Sequence, residues 1–163
     1  ATKNHDFHAF TPTVSNIRPT SKGHVNIIGS DSRTYAKIKM NYLSTDEDRR
    51  VAAAGLKLTR KIVLESETFK KYYPEEYRPG IHLNEDEDIL KAAADYAQTI
   101  FHPVGTCKMG SDENAVVSDE LKVHGIKNLR VIDASIMPNI TSGNTNAPTI
   151  MIAEKGADMI LNN

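Results

Sequence analysis

The segment FHPVGTCKMG, residues 101–110, contains the side chains of this chain that are best suited to chemistry. His102 lies between a phenylalanine and Pro103, and Cys107, the only cysteine in the sequence, follows five residues later. A neutral imidazole can act as a general base, and an imidazole beside a thiol can activate a cysteine nucleophile. Because Pro103 and Gly105 disfavour a helix here, the pattern predicts a loop that fixes the approach angle of His102.

Four interpretations of His102 stay open at this point: a general base, a metal ligand, one half of a Cys/His pair, or a buried structural residue. A spacing of five does not establish contact between thiol and imidazole, and a small buried side chain explains Cys107 equally well. A metal site has no support in the sequence, because there is no second thiol and the remaining histidines are scattered. They are His5, His8, His24, His82 and His124. We therefore predict no metal.

A second set of polar residues lies near the C-terminal end. Asp133 closes the apolar run LRVIDA, residues 129–134, while Asn144 and Asn146 precede an apolar helical pattern. Strand ends and helix N-termini are where open α/β sheets bind cofactors, and a helix N-terminus favours an anion placed before Ala147. Each residue alone is also explained as a turn or cap residue. Their occurrence together favours a cofactor site.

Hydrophobic periodicity supplies the elements that position these residues. Period-two patterns predict strands at residues 7–14, 24–28, 36–42 and 129–134. Helical patterns, with capping signatures at Ser44 and Asn84, predict helices at residues 45–66, 85–100 and 147–161, the last N-capped by Asn146. The first helix is expected to bury the face formed by Val51, Ala54, Leu58 and Ile62. Residues 69–84 are expected to be irregular, and the fold class is α+β.

Composition narrows the classes of function. The 163 residues carry a net charge of −1, which gives no support for a nucleic-acid partner. No apolar run reaches the roughly 20 residues that span a bilayer. One cysteine cannot form an internal disulfide, which favours a reducing compartment. The chain begins ATKNHDFHAF, without an initiator Met or a signal-peptide pattern, as a processed product or a fragment would. We expect a cytoplasmic or membrane-associated protein.

Three further stretches resemble a known family when taken with residues 101–110. They are RPTSKGHVNIIGSDS (18–32), AVVSDELKVHGIKNLRVIDASIMP (115–138) and SGNTNAPTIMIAEKGADMI (142–160). In this order they look like the C-terminal part of a glucose–methanol–choline (GMC) oxidoreductase, a flavoprotein that oxidises alcohols. The likeness is strongest to the choline dehydrogenase and aliphatic alcohol dehydrogenase branch, and GNTNAPT favours the latter.

The resemblance implies roles for individual residues. His102 matches the catalytic histidine that takes the proton of a primary alcohol while a hydride passes to flavin N5, giving the aldehyde. Asn144 matches its partner at the substrate oxygen. The cofactor implied is FAD, and the electron acceptor is oxygen or a quinone-type carrier. The positions that match flavin-contacting residues are Asp133, Ala134, Asn144, Thr145 and Asn146.

One family feature is missing from the sequence. No glycines form the G-x-G-x-x-G fingerprint that binds the cofactor phosphates, so the N-terminal Rossmann-like unit is absent. We expect the chain to be roughly the last third of an enzyme whose N-terminal FAD-binding part is its partner, and to be inactive alone. Residues 1–100 are assigned to the substrate-binding domain, and residues 101–163 to the active-site loop and the FAD-binding domain. Two alternatives stay open: a non-catalytic binding or scaffold module of this fold, and a hydrolase that uses Cys107.

Overall fold

The computed structural model describes residues 5–162, which form two compact units. The first unit contains residues 5–16 and 45–97, and the second contains residues 17–44 and 98–162. The elements in chain order are β1 (His24–Asn26), β2 (Lys37–Lys39), α1 (Asp46–Glu65), α2 (Glu67–Lys70), α3 (Asp86–Tyr96), a 3₁₀ helix (Ala134–Ile136) and α4 (Asn146–Leu161). This confirms the α+β class. The functional assignment of domains on either side of residue 100 stays a prediction.

The helices of the first unit lie close to their predicted bounds. The N-cap of α1 is Thr45, whose hydroxyl accepts from the backbone N–H of Asp48 at 3.3 Å, so the capping prediction at Ser44 is wrong by one residue. The N-cap of α3 is Glu85, which makes no side-chain cap bond, rather than Asn84. This helix ends at Tyr96, four residues early, because the backbone becomes extended at the next residue.

The buried face of α1 differs from the predicted one. Ala53 is buried at 2% exposure, whereas Leu58 and Ile62 of the predicted face are 58% and 51% exposed. On α3, which packs against α1, the buried residues are Ile89 and Ala92. The two alanines have small side chains, which permit a close approach of the helix backbones. The face of α1 that is buried therefore carries the small residue Ala53, and the periodicity of the sequence did not predict which face this would be.

Arg60 fixes the irregular segment that follows α2. Its guanidinium donates to the Glu76 carboxylate at 2.7 and 3.0 Å and to the backbone oxygen of Leu83 at 2.9 Å. The same carboxylate accepts from the backbone N–H of Gly80 at 3.1 Å. Both charged side chains are largely buried, so removal of either one would leave the other as an uncompensated charge. The prediction of an irregular segment is confirmed, because no helix or strand lies between Lys70 and Asp86.

Two of the predicted strands pair, and two do not form. Strands β1 and β2 are antiparallel, with Val25 opposite Ile38, but each has only three residues. Residues 7–14 form no strand: they are exposed coil, and Phe10 stacks on Phe69 at 5.7 Å. Residues 129–134 form a single bridge at Arg130 instead of a strand. Residues 7–14 have no strand beside them among residues 5–162, and a strand without a partner leaves its backbone groups unpaired. Residues 129–131 exchange backbone hydrogen bonds with Leu121 and Val123, but the 3₁₀ helix at Ala134 ends this pairing after three residues.

The second unit has a small core against the middle of α4. Its buried members are Val117, Leu121, Ile136, Met137 and Ile152. Gly156 faces Ile132 so closely that an added Cβ would lie 2.5 Å from the isoleucine Cγ2. The glycine therefore lets α4 pack directly on the segment that carries Asp133. Within residues 5–162, none of the helices has the length and apolar character needed to cross a membrane.

Candidate active site

The loop that carries His102 has a constrained backbone. Phe101, which precedes it, is a non-glycine residue with φ 64°, a conformation that is uncommon outside glycine and asparagine. Its backbone N–H is held by the hydroxyl of Thr99 at 3.0 Å. Gly105 has φ 88°, as expected for the glycine of a sharp turn. These residues set the direction in which His102 leaves the backbone, in agreement with the predicted role of the loop.

Past Gly105, the loop is bonded to the 3₁₀ helix. The backbone N–H of Cys107 donates to the oxygen of Ser135 at 3.0 Å, and that of Met109 donates to the oxygen of Ile136 at 2.8 Å. A Cβ built on Gly105 would lie 3.3 Å from the backbone oxygen of Met137. The glycine is thus required by its dihedral angle and by the close approach of the two segments.

Replacing Gly105 by alanine is expected to destabilise the chain by about 2–3 kcal/mol, because a positive φ costs an alanine about 1–2 kcal/mol and the Met137 carbonyl adds a steric cost. Urea unfolding measures the change. The matched control is G125A: Gly125 has φ 76°, but nothing lies within 4 Å of its added Cβ. An equal loss in both variants would show that the contact with Met137 is unimportant.

His102 is bonded to the start of α4. Its Nδ1 lies 2.9 Å from the hydroxyl of Thr145, a contact between residues that are 43 positions apart. Thr145 is 7% exposed, and the imidazole is half-buried. A single hydrogen bond to a buried partner restricts ring rotation while leaving the second ring nitrogen, Nε2, available. The structure therefore joins two of the residues that were singled out in the sequence.

Asn144 forms a tight turn at the same helix start. Its Oδ1 accepts from the backbone N–H of Asn146 at 2.9 Å, and its side chain is exposed. This bond identifies the oxygen of the amide, so the NH₂ group is left as a donor. Helix α4 begins at Asn146 with Thr145 in the N-cap position, so the prediction that Asn146 is the cap is wrong by one residue. Asn144 is adjacent in the chain to the residue that holds His102.

Asp133 caps the 3₁₀ helix and keeps one oxygen free for other interactions. Its Oδ1 accepts from the backbone N–H of Ser135 at 2.7 Å, and the residue is exposed. The hydroxyl of Ser135 is buried without a partner among residues 5–162. Ala134 packs against the core of the second unit. Ala147 contributes an N–H from the first turn of α4, where helix donors lack intrahelical acceptors. A ligand hydroxyl could donate to the second oxygen of Asp133, and a ligand carbonyl could accept from the N–H of Ala147.

A comparison with known protein families covers the segments that carry these residues. The family model described as GMC oxidoreductase matches residues 19–153 of the chain. The chain belongs to the GMC oxidoreductase family. An oxygen-dependent choline dehydrogenase of Citrobacter koseri is 48% identical over 153 residues, which are 94% of this chain and 27% of that protein. The GMC chain therefore spans about a quarter of the length of this relative.

Solved structures agree with the family assignment. The crystal structure of pyridoxine 4-oxidase from Mesorbium loti has a TM-score of 0.84 and 35% identity, covering 90% of this chain and 28% of that one. A formate oxidase from Aspergillus oryzae RIB40, studied for modification of its FAD, has a TM-score of 0.80 and 32% identity over 94% of this chain and 28% of its own. The fold of the GMC chain therefore matches a segment that makes up 28% of the length of each of these two oxidases.

The alternative sites of this GMC chain gain no support from the geometry. Cys107 is a free, half-buried thiol, and no hydrogen bond joins its sulfur to a histidine in the described part of the chain. A Cys/His hydrolase needs that contact. Across residues 5–162, no group of three or more His, Cys, Asp or Glu side chains could hold a metal ion. Near Cys107, Lys108 donates a hydrogen bond to the Asp112 carboxylate and holds the end of the loop. The same bond lowers the pKa of that exposed carboxyl.

The contact of Thr145 with His102 is the one that the sequence pattern missed. The resemblance placed it only among the positions near a flavin, not beside His102. A pairing between residues 43 positions apart leaves no periodic trace in one sequence. The available signal was a threonine in an N-cap position directly after an asparagine able to form the same kind of cap.

Proposed function

We propose that this chain is the C-terminal part of an FAD-dependent oxidoreductase that oxidises a primary alcohol, either choline or an aliphatic alcohol, to the aldehyde. The observation that carries the proposal is the bond between His102 and Thr145 beside Asn144, within a GMC chain that is 48% identical to a choline dehydrogenase. It supports a half-buried imidazole whose orientation is fixed, with an amide donor on the residue that precedes its partner Thr145 in the chain. These are the groups that oxidation of an alcohol requires.

His102 is the proposed general base. Its Nδ1 is held by Thr145, so Nε2 can accept the hydroxyl proton of the alcohol. A positioned base typically contributes about 100- to 10,000-fold to the rate. As the proton leaves, negative charge grows on the substrate oxygen. Asn144 donates from its NH₂ group to that oxygen, and an amide keeps this donor at every ordinary pH.

The residues around Asp133 and α4 fit FAD. When bound, FAD supplies the hydride acceptor at flavin N5. The second carboxylate oxygen of Asp133 would accept from a ribityl hydroxyl, and Ala134 would lie alongside the chain. Residues 144–146 would face the pyrimidine edge of the ring system. The N-terminus of α4 would favour negative charge there by about 0.3–2 kcal/mol.

The remainder of the enzyme is proposed to supply the phosphate-binding unit and most of the substrate cavity. Residues 1–100 would belong to the substrate-binding domain, and residues 101–163 would return to the FAD-binding domain. The relative from Citrobacter koseri is named as oxygen-dependent, which favours oxygen as the electron acceptor over a quinone-type carrier. The alcohol itself is set by cavity walls that lie mostly outside this chain.

Cofactor binding and reduction test the proposal together. We expect the full-length enzyme to hold one FAD, and anaerobic addition of choline or a primary aliphatic alcohol to bleach the flavin absorbance. The 163-residue chain alone should bind FAD weakly in a fluorescence titration, because it lacks the G-x-G-x-x-G unit. Flavin that stays oxidised with every primary alcohol would indicate a non-catalytic module. Tight stoichiometric binding by the short chain would contradict the proposed division of the enzyme.

A further inference from the structure

The hydroxyl of Thr145 does not cap the helix that it precedes, α4. An N-cap threonine normally accepts a hydrogen bond from a backbone N–H of the first turn, as Thr45 does for Asp48 on α1. Thr145 occupies the N-cap position of α4 but makes no cap bond with its side chain.

Two neighbours explain why the Thr145 hydroxyl does not cap α4. The Oδ1 of Asn144 takes the backbone N–H of Asn146, and the N3 position, which Asp48 fills on α1, is Pro148, a residue without an N–H. The Thr145 hydroxyl instead lies 2.9 Å from Nδ1 of His102. The proline at N3 thus leaves the threonine able to bind the imidazole instead of the helix.

We infer that Thr145 is a positioning residue that holds His102 in the tautomer protonated at Nδ1. The ring N–H donates to the Thr145 hydroxyl oxygen, and Nε2 keeps its lone pair. The hydrogen bond made by one ring nitrogen decides which nitrogen carries the proton. This inference rests on the proposed function, in which Nε2 of His102 receives the proton of the alcohol.

An acceptor on Nδ1 serves both protonation states of the ring. When the substrate O–H bond breaks, its electron pair stays on oxygen and the proton moves to Nε2, so the imidazolium carries an N–H on each nitrogen. The Nδ1–H bond to Thr145 is unchanged by this transfer. A hydroxyl that donated to Nδ1 would have to turn around during each reaction. Thr145 therefore keeps the ring orientation fixed while its charge changes.

Three substitutions in the full-length enzyme isolate this role. T145V keeps the shape but removes the hydroxyl, and we expect the rate constant of flavin reduction to fall by about 10- to 100-fold with little change in KM, because a misplaced base slows chemistry. T145S keeps the hydroxyl and should keep most of the rate. T149V is the matched control: the Thr149 hydroxyl donates to the backbone oxygen of Thr145 at 2.6 Å and does not bond His102. If T145V unfolds, T145A provides the same test.

The tautomer can be read without turnover. In the full-length enzyme labelled with ¹⁵N at histidine, two-dimensional NMR distinguishes a ring protonated at Nδ1 from one protonated at Nε2, and H102A assigns the signals. We expect His102 to carry its proton on Nδ1 in the unaltered chain and in T145S, and to become a mixture in T145V.

The outcomes separate the two proposals. If H102A leaves flavin reduction unchanged, the proposed function fails, whatever the tautomer. If H102A stops the reaction while T145V reacts as fast as the unaltered enzyme, the positioning role is wrong and the function stands. A proton on Nε2 in the unaltered chain would also overturn the inference.

Discussion

Replacement of His102 by alanine in the full-length enzyme is expected to lower the rate constant of flavin reduction by about 100- to 10,000-fold. The alcohol would then lose its proton to water or to no base at all, so hydride transfer from a neutral alcohol becomes far slower. Stopped-flow spectroscopy under anaerobic conditions measures this step directly, because oxidation of the reduced flavin does not contribute. FAD content should be unchanged, since His102 is not among the positions proposed to hold the cofactor.

The control for this substitution is His124→Ala. His124 lies in the same compact unit and bonds the backbone oxygen of Gly110 through Nε2 at 3.0 Å, so it is a histidine with a structural partner only. We expect H124A to reduce flavin at the unaltered rate. Equal rates for H102A and the unaltered enzyme would remove His102 from the mechanism, and equal losses in both variants would indicate general disruption of this unit.

The sequence predicted the local features of the site better than its contacts. The loop character of residues 101–110 and the positive φ of Gly105 follow from residue types alone, because glycine and proline restrict the backbone in known ways. The helix over Asn146–Leu161 follows from its periodicity. The bond between His102 and Thr145 could not be predicted, because it depends on how two distant segments pack.

The wrong predictions depend on neighbouring segments that a sequence pattern does not show. Residues 7–14 have the composition of a strand but no strand to pair with among residues 5–162. Residues 129–131 exchange backbone hydrogen bonds with Leu121 and Val123, but the 3₁₀ helix that begins at Ala134 ends the pairing. On α1, Leu58 and Ile62 match a helical stripe, yet the face that packs carries the smaller Ala53. In a chain that spans about 27% of the length of a relative, apolar residues can also mark surfaces that the rest of the protein would cover.

Replacement of Asn144 by aspartate is expected to slow flavin reduction by about 100- to 1,000-fold, the usual effect of losing one donor to a developing oxyanion. The carboxylate can still accept from the backbone N–H of Asn146, so the turn and the start of α4 should survive. It cannot donate to the substrate oxygen, and its charge opposes the charge that grows there. N144D therefore removes the proposed chemical role while keeping the structural one.

Comparison with N144A divides the two roles of this side chain. Alanine removes the donor and also the acceptor for Asn146, so it should slow the reaction and destabilise the chain by about 0.5–2 kcal/mol, whereas N144D should only slow the reaction. N139D controls for added charge, because Asn139 is an exposed residue of the same unit that accepts from Lys22 at 3.2 Å. If N144D reduces flavin as fast as N139D, Asn144 acts only as a cap, and the substrate oxygen must be stabilised by another group.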